Sequence, residues 1–83
     1  MPMLIPVYTR GVPRPQKYRD VIKAVRANGW VLIRRGKGDH EIWGIPDSSS
    51  STDRHSIPHH REVSAGIIGD LIKKLPRTPY NWR

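Results

Sequence analysis

Two stretches of the chain carry apolar side chains at the spacing of an amphipathic helix. The first runs from Lys17 to Asn28, and its apolar positions follow an i, i+3, i+4, i+7 pattern: Tyr18, Val21, Ile22 and Val25. Charged residues occupy most of the remaining positions of this stretch. Asn28-Gly29 ends the pattern, because glycine readily adopts the left-handed conformation that closes many helices. The spacing therefore predicts a helix with one buried face.

The second helical stretch begins after Ser64, which is a predicted N-cap because its hydroxyl can accept a hydrogen bond from a first-turn amide. The apolar positions that follow again have helical spacing: Ile67, Ile68, Leu71, Ile72 and Leu75. Pro76 marks the end of this helix, since proline cannot continue the hydrogen-bonding pattern.

Three short runs between the two helices are predicted strands. Residues 30–35 and 39–43 are rich in β-branched and aromatic residues and flank the turn Gly36-Lys37-Gly38, which is the pattern of a β-hairpin. Residues 54–58 form a third strand after a loop that contains a run of four serines. The order of elements predicts an α+β fold, α-β-β-β-α, with a three-stranded antiparallel sheet and both helices on one face.

The length of 83 residues fits one small domain. Residues 1–16 hold four prolines and no helical period, so we expect a proline-rich N-terminal arm. The predicted domain spans residues 17–75, and residues 76–83 form a basic, aromatic C-terminal tail. No apolar run approaches the roughly 18 residues of a membrane span, and the opening residues are a poor signal peptide. We therefore expect a cytoplasmic protein without a membrane partner.

The amino-acid composition restricts the kinds of site and partner that the protein can have. The absence of cysteine excludes disulfides, zinc–thiolate sites, iron–sulfur clusters and thiol nucleophiles. With 15 Lys and Arg against 7 Asp and Glu, the net charge is +8, which favours a polyanionic partner such as RNA. An acidic protein or an anionic membrane surface would satisfy the same field, and a solvated basic surface needs no partner at all.

Four short motifs occur in a characteristic order. Asn28-Gly29-Trp30 precedes the first strand, and the glycine turn leads into Gly38-Asp39-His40. The segment Ile-Pro-His-His at residues 57–60 ends the third strand, and the sequence SAGIIGDLIKKL forms the second helix. Together, over roughly residues 17–75, these motifs resemble the HicA (YcfA-like) family of bacterial toxin ribonucleases.

The resemblance implies a fold related to double-stranded RNA-binding domains, cleavage of messenger RNA without a metal or cofactor, and a HicB-type antitoxin that covers the active site. It places the family's catalytic histidine, the last residue of a Gly-Ser-His motif, on His40. Asp39 stands where many members have serine. A carboxylate at this position favours the charged form of the neighbouring ring and repels phosphate.

The chemistry of histidine is compatible with that role. Transesterification of RNA needs a base that takes the 2′-hydroxyl proton and an acid that protonates the leaving 5′-oxygen. An imidazole titrates near about pH 6.5 and can serve as either. Cationic side chains stabilise the charge that develops on the phosphorane, and Arg34, Arg35 and Lys37 lie one hairpin turn before His40. The alternative is that His40 is a surface histidine without a role.

Further RNA contacts are predicted at His59 and His60 and at Lys73 and Lys74. The two histidines would contact the RNA backbone or support the second helix, and the alternative is that they only shape the loop.

The histidines also raise the alternative of a metal site, because His55 and His59 are four residues apart. Pro58 and the strand-like sequence argue against the helix that this spacing needs, and zinc would require a third ligand such as His40, Asp39 or Asp53. We therefore expect no metal.

The orientation of the second strand stays open at this point. Because side chains alternate between the two faces of a strand, His40 lies on the same face as Ile42, and Glu41 lies on the same face as Trp43. Either Ile42 or Trp43 is therefore the residue that faces the core. Trp30 and Trp43 are expected in the core, because a small domain needs large side chains to fill its interior. Trp82, in the tail, is expected to be exposed and able to stack on a base.

Three functions follow from these observations. The first is a HicA-like endoribonuclease in which His40 acts as general acid or base. The second is an RNA-binding module of the same fold without catalysis. The third is a basic interaction protein that docks an acidic partner.

Overall fold

The computed structural model describes residues 12–83, and residues 1–11 of the predicted N-terminal arm lie outside the described residues. The elements run in the order β1 (Gln16–Lys17), α1 (Tyr18–Ala27), β2 (Val31–Arg35), β3 (His40–Gly44), β4 (Arg54–Pro58), β5 (Glu62–Val63) and α2 (Ala65–Lys74). Single 3-10 turns span Ser51–Asp53 and Tyr80–Trp82. The predicted α-β-β-β-α order is confirmed, and the short strands β1 and β5 are additions to it.

The main sheet is an antiparallel meander with the strand order β2-β3-β4. Its register places His40 opposite Pro58 and Gly44 opposite Arg54, so that His40 lies at the end of the sheet where β4 finishes. The pair β1–β5 is separate from this sheet. It brings the start of α1 beside the segment after β4, where the amide of Tyr18 donates to the carbonyl of Arg61 at 3.0 Å.

Two glycines are required by the backbone around β3. Gly38 has φ +61° in the hairpin turn, a conformation that side chains with a Cβ rarely adopt. At Gly44, an added Cβ would lie 2.3 Å from the carbonyl oxygen of Asp53, because the loop before β4 crosses this position closely. Both glycines therefore fix the ends of β3, and with them the position of His40.

The core lies between the two helices and one face of the sheet. Val21 and Val25 of α1 and Ile68 and Leu71 of α2 are fully buried there, as the helical spacing predicts. The hydroxyl of Ser64 accepts from the amide of Ile67, which confirms the predicted N-cap. Within residues 12–83, neither ten-residue helix is long or apolar enough to cross a membrane.

The orientation of β3, which alternation left open, is now fixed. Trp43 is buried on the helix side of the sheet and His40 is exposed, while Ile42 is half-buried. Glu41 shares the helix side with Trp43 and keeps only 3% of its surface exposed. His40 therefore belongs to the open face, and β3 carries a buried carboxylate into the core side.

The prediction that Trp82 is exposed is wrong. Its side chain is 1% exposed and belongs to the core, together with Trp30 and Trp43, which were predicted to be there. The C-terminal segment folds back onto the domain: the side-chain amide of Asn28 donates to the carbonyl of Arg77 at 2.8 Å and accepts from its amide at 3.1 Å. A domain this small gains core volume from a large side chain far along the sequence.

Candidate active site

His40 is the first residue of β3 and is exposed at the end of the sheet. Its Nδ1 lies 3.3 Å from the carbonyl oxygen of Lys37. Because a carbonyl can only accept, this contact requires the proton on Nδ1 and leaves the lone pair of the neutral ring on Nε2. The same turn fixes the backbone of His40, whose carbonyl accepts from the amide of Gly36 at 2.7 Å. The hairpin thus presents a histidine with Nε2 as its proton-accepting atom.

The carboxylate of Asp39 is paired with His60. Oδ2 of Asp39 lies 3.2 Å from Nε2 of His60, and both side chains are more than half exposed. The backbone supports this pairing, since the amide of His59 donates to the carbonyl of Asp39 at 2.8 Å. The acid directly before His40 therefore has a partner across the β3–β4 ladder.

A second set of polar side chains surrounds the buried Glu41. Its Oε1 accepts from the hydroxyl of Tyr18 at 2.5 Å and from the indole nitrogen of Trp43 at 3.1 Å. Its Oε2 lies 3.2 Å from Nη1 of Arg35 and 3.2 Å from Nδ1 of His59. We call Tyr18, Arg35, Glu41, Trp43 and His59 the Glu41 cluster. A buried carboxylate is costly unless it is hydrogen-bonded, and here both oxygens are.

Electrostatics keep Glu41 ionised and Tyr18 protonated at neutral pH. Burial works against ionisation of Glu41, but the hydrogen bonds from Tyr18 and Trp43 and the charges of His59 and Arg35 overcome it and lower the pKa of Glu41. Burial, followed by the hydrogen bond to Glu41, raises the pKa of Tyr18 to about 12. At neutral pH the carboxylate is ionised and the phenol keeps its proton, so Tyr18 remains a donor.

The ring of His59 is held on two sides. It stacks on the ring of Tyr18, with 4.0 Å between the centroids and 10° between the planes, and its Nδ1 faces Glu41. More than half of its side chain, 55%, nevertheless stays exposed. His59 is therefore both oriented and accessible.

The predicted basic residues fall into two groups. Arg34, Arg35 and Lys37 are exposed on β2 and the hairpin turn beside His40. Lys73 is exposed on α2, whereas Nζ of Lys74 donates to the carbonyl of Arg54 at 2.8 Å. Arg54 begins β4 and Pro58, opposite His40, ends it, a separation of about 13 Å at the usual rise per residue. The hairpin cations thus gather near His40 with His59 and His60, while Lys74 lies at the other end of the sheet.

His55 and His59, the two histidines of the alternative metal site, have different partners. His55 is near Lys74, whose Nζ is 2.8 Å from Nδ1, and near Asp70, whose Oδ2 is 3.6 Å from Nε2. Burial and the charge of Lys74 lower the pKa of His55. Within the described residues, 12–83, there is no group of three or more His, Asp or Glu side chains placed to hold a metal ion. The geometry that a zinc site requires is therefore not assembled there.

Sequence reasoning placed Tyr18 in the core and gave Glu41 no role, so it missed the Glu41 cluster. One signal was available, because alternation put Glu41 on the same side of β3 as Trp43. If Trp43 is buried, its neighbour on that face is a buried acid, and a buried acid needs donors from other elements. Which residues supply those donors depends on the pairing of β1 with β5, which no local pattern predicts.

The chain as a whole can now be compared with known proteins. The fold is consistent with that of double-stranded RNA-binding domains. A model of the family described as HicA toxin of bacterial toxin-antitoxin matches residues 18–75, the region from the start of α1 to just past α2. The chain therefore belongs to the HicA toxin family, and membership of a toxin–antitoxin family implies an antitoxin partner. Comparisons with curated proteins and with solved structures gave no match.

Proposed function

We propose that this protein is the toxin of a toxin–antitoxin pair and acts as an endoribonuclease that cleaves messenger RNA without a metal, with His40 as a catalytic residue. The observation that carries the proposal is the geometry of His40: an exposed ring, with Nδ1 turned to the Lys37 carbonyl, at the end of a basic hairpin. Nε2 is then available to a substrate, and a positioned base contributes about 10²- to 10⁴-fold to a rate.

In the proposed reaction, Nε2 of His40 takes the proton of a ribose 2′-hydroxyl. The 2′-oxygen forms a bond to phosphorus, the bond from phosphorus to the 5′-oxygen breaks, and the 5′-oxygen leaves with a proton. The products are a 2′,3′-cyclic phosphate and a 5′-hydroxyl. Arg34 on β2 and Lys37 in the turn before β3, both exposed, supply positive charge near the phosphorane.

The net positive charge of the chain supports both the proposed substrate and the proposed partner. A net charge of +8 attracts RNA, and it also attracts an acidic surface on an antitoxin, which we propose is of the HicB type. Such an antitoxin would cover His40 and the hairpin cations together. We place the toxin in the cytoplasm, where it can meet messenger RNA.

One observation favours an alternative, an RNA-binding module without catalysis. The carboxylate of Asp39, 70% exposed, stands directly before His40 and would repel a phosphate there. RNA affinity would then fall steeply with salt and change little in a His40→Ala variant. Binding of an acidic protein without any affinity for RNA would instead indicate a pure interaction protein.

An RNA digestion time course tests the proposal. Wild type and His40→Ala are compared in EDTA, with circular dichroism to check folding. We expect wild type to cleave and His40→Ala to be at least about 100-fold slower. Folded wild type that leaves RNA intact contradicts the proposal. If RNA is still bound in that case, the binding module becomes the explanation.

A further inference from the structure

The reaction proposed above needs an acid as well as a base, and His40 supplies only the base. The Glu41 cluster contains a second histidine, His59, which has no role in that reaction so far. We propose that His59 is the second catalytic residue, which protonates the leaving 5′-oxygen, and that Glu41 is the positioning residue that holds it. The inference rests on the proposed ribonuclease function, and it adds a residue that the sequence placed only among possible RNA contacts.

The first argument is the way His59 is held. Oε2 of Glu41 lies 3.2 Å from Nδ1, at ion-pair distance, and we assign proton exchange with a substrate to Nε2, the ring nitrogen away from that contact. Stacking on Tyr18 at 4.0 Å fixes the plane of the ring. A carboxylate at this distance also attracts the positive charge that an acid carries before it gives up its proton.

The second argument is position. His40 lies opposite Pro58 in the β3–β4 ladder, and His59 is the next residue, with its amide bonded to the carbonyl of Asp39 at 2.8 Å. Neighbouring strands are about 4.8 Å apart, so the two histidines leave the same end of the sheet from adjacent backbone positions. His40 belongs to the open face and His59 contacts Glu41 of the helix side, so we place the phosphodiester across this end of the sheet, where it would reach both rings.

The third argument is that a purely structural role does not account for the carboxylate of Glu41. Burying an ionised carboxylate is expensive, and an apolar side chain in its place is often neutral or stabilising. The donors on Oε1, Tyr18 and Trp43, belong to the core side, but the charged partners of Oε2, Arg35 and His59, are 72% and 55% exposed. One side of the carboxylate therefore serves packing, while the other orients two groups toward solvent.

The proton balance assigns one role to each ring. His40 Nε2 gains the 2′-hydroxyl proton as the bond from the 2′-oxygen to phosphorus forms. The electron pair of the breaking phosphorus–oxygen bond goes to the 5′-oxygen, which takes the proton from Nε2 of His59. Exchange of one proton each with water then returns both rings to their starting states.

Substrates with different leaving groups test this assignment. The first is an RNA oligonucleotide with the natural 5′-oxygen at the linkage that wild type cleaves. The second carries sulfur in place of that oxygen, and a thiolate leaves without being protonated. We expect His59→Gln to slow cleavage of the oxygen substrate by about 100-fold or more and that of the sulfur substrate by less than tenfold. His40→Gln should slow both.

Two further variants complete the experiment. Glu41→Gln should follow the pattern of His59→Gln, with a loss on the oxygen substrate that the sulfur substrate largely rescues. His55→Gln is the matched control, because it changes a histidine of β4 that contacts Lys74 and Asp70 at the other end of the sheet. Per folded molecule, its rates on both substrates should equal those of wild type.

The outcomes separate the inference from the function on which it rests. Cleavage of the oxygen substrate by His59→Gln at the wild-type rate overturns the role of His59 but leaves the ribonuclease in place. Equal losses on both substrates also overturn it, since they indicate that His59 supports folding or binding. Wild type that cleaves neither substrate removes the proposed function and the inference together.

Discussion

Glu41→Gln isolates the charge of the buried carboxylate with almost no change in shape. In wild type, Oε1 accepts hydrogen bonds from Tyr18 and Trp43, while Oε2 accepts one from Arg35 and lies 3.2 Å from Nδ1 of His59, at ion-pair distance. A glutamine can keep its oxygen toward Tyr18 and Trp43. Its NH₂ group then faces Arg35 and His59, so that the hydrogen bond from Arg35 becomes a contact between donors and the ion pair with His59 is lost.

The expected loss of stability follows from these four contacts. Hydrogen bonds to a charged group contribute about 1.5–3 kcal/mol each and those between neutral groups about 0.5–1.5 kcal/mol, so the two bonds on Oε1 weaken by about 1 kcal/mol each. The two ion pairs of Oε2, with Arg35 and His59, involve exposed partners that can turn to water, and exposed ion pairs contribute only about 0.2–1 kcal/mol. We therefore expect Glu41→Gln to lower the free energy of unfolding by about 2–3 kcal/mol.

Urea unfolding at pH 7 measures this change through tryptophan fluorescence, because Trp30, Trp43 and Trp82 are all buried. A chain of 83 residues has a total stability of about 4–12 kcal/mol, so the variant should remain folded without denaturant. Glu41→Ala serves as the stronger change: it strands the donors of Tyr18 and Trp43 and should cost about 3–5 kcal/mol. If Glu41→Gln is within about 0.5 kcal/mol of wild type, the buried hydrogen bonds do not stabilise the fold as argued.

The same variant has a defined dependence on pH. The pKa of Glu41 is lowered in the folded state from an unfolded value of about 4.5. Its contribution to stability is therefore complete above about pH 4.5 and is lost as the pH falls through the folded-state pKa. The difference between wild type and Glu41→Gln should be constant from pH 6 to pH 5 and shrink in more acidic solution. A difference that grows on acidification would contradict this reasoning.

Three further changes give distinct outcomes. Trp82→Ala should cost about 3–5 kcal/mol in urea unfolding, because it empties a fully buried site, and an unchanged midpoint would show that the C-terminal segment does not complete the core. Gly44→Ala should cost more than about 1 kcal/mol by the same measurement, since its Cβ meets the Asp53 carbonyl at 2.3 Å, while a neutral result would mean that the loop moves freely. The lowered pKa of His55 predicts that wild-type stability declines as the pH falls below about 6.5 toward the folded-state pKa of this group. Thermal unfolding of His55→Gln should show a smaller decline over the same pH range. Equal slopes for the two proteins would refute this prediction.

The local patterns of the sequence predict much of this fold. Helical spacing places α1 and α2, glycine turns place the β2–β3 hairpin, and residues 54–58 form β4 as predicted. Each of these signals concerns residues close together in the chain, where period and turn chemistry act directly.

The features that the sequence did not predict depend on contacts between distant segments. Trp82 enters the core because the C-terminal segment returns across α1, where Asn28 holds Arg77. The Glu41 cluster forms because Tyr18 at the start of α1 meets His59 after β4, 41 positions later. A hydropathy pattern treats Tyr18 as apolar and predicts that Glu41 is exposed. A pattern of apolar and polar residues therefore cannot reveal the hydrogen bond that joins the two side chains.

The chemical nature of the cleaved ends tests the central claim most directly. Wild type, with EDTA present, is incubated with a synthetic RNA of known sequence, and the fragments are identified by mass spectrometry beside those of folded His40→Ala. We expect paired fragments that carry a 2′,3′-cyclic phosphate and a 5′-hydroxyl, formed by wild type and at least about 100-fold more slowly by His40→Ala. Intact RNA with wild type, or the same fragments at the same rate from His40→Ala, would contradict a ribonuclease that depends on His40.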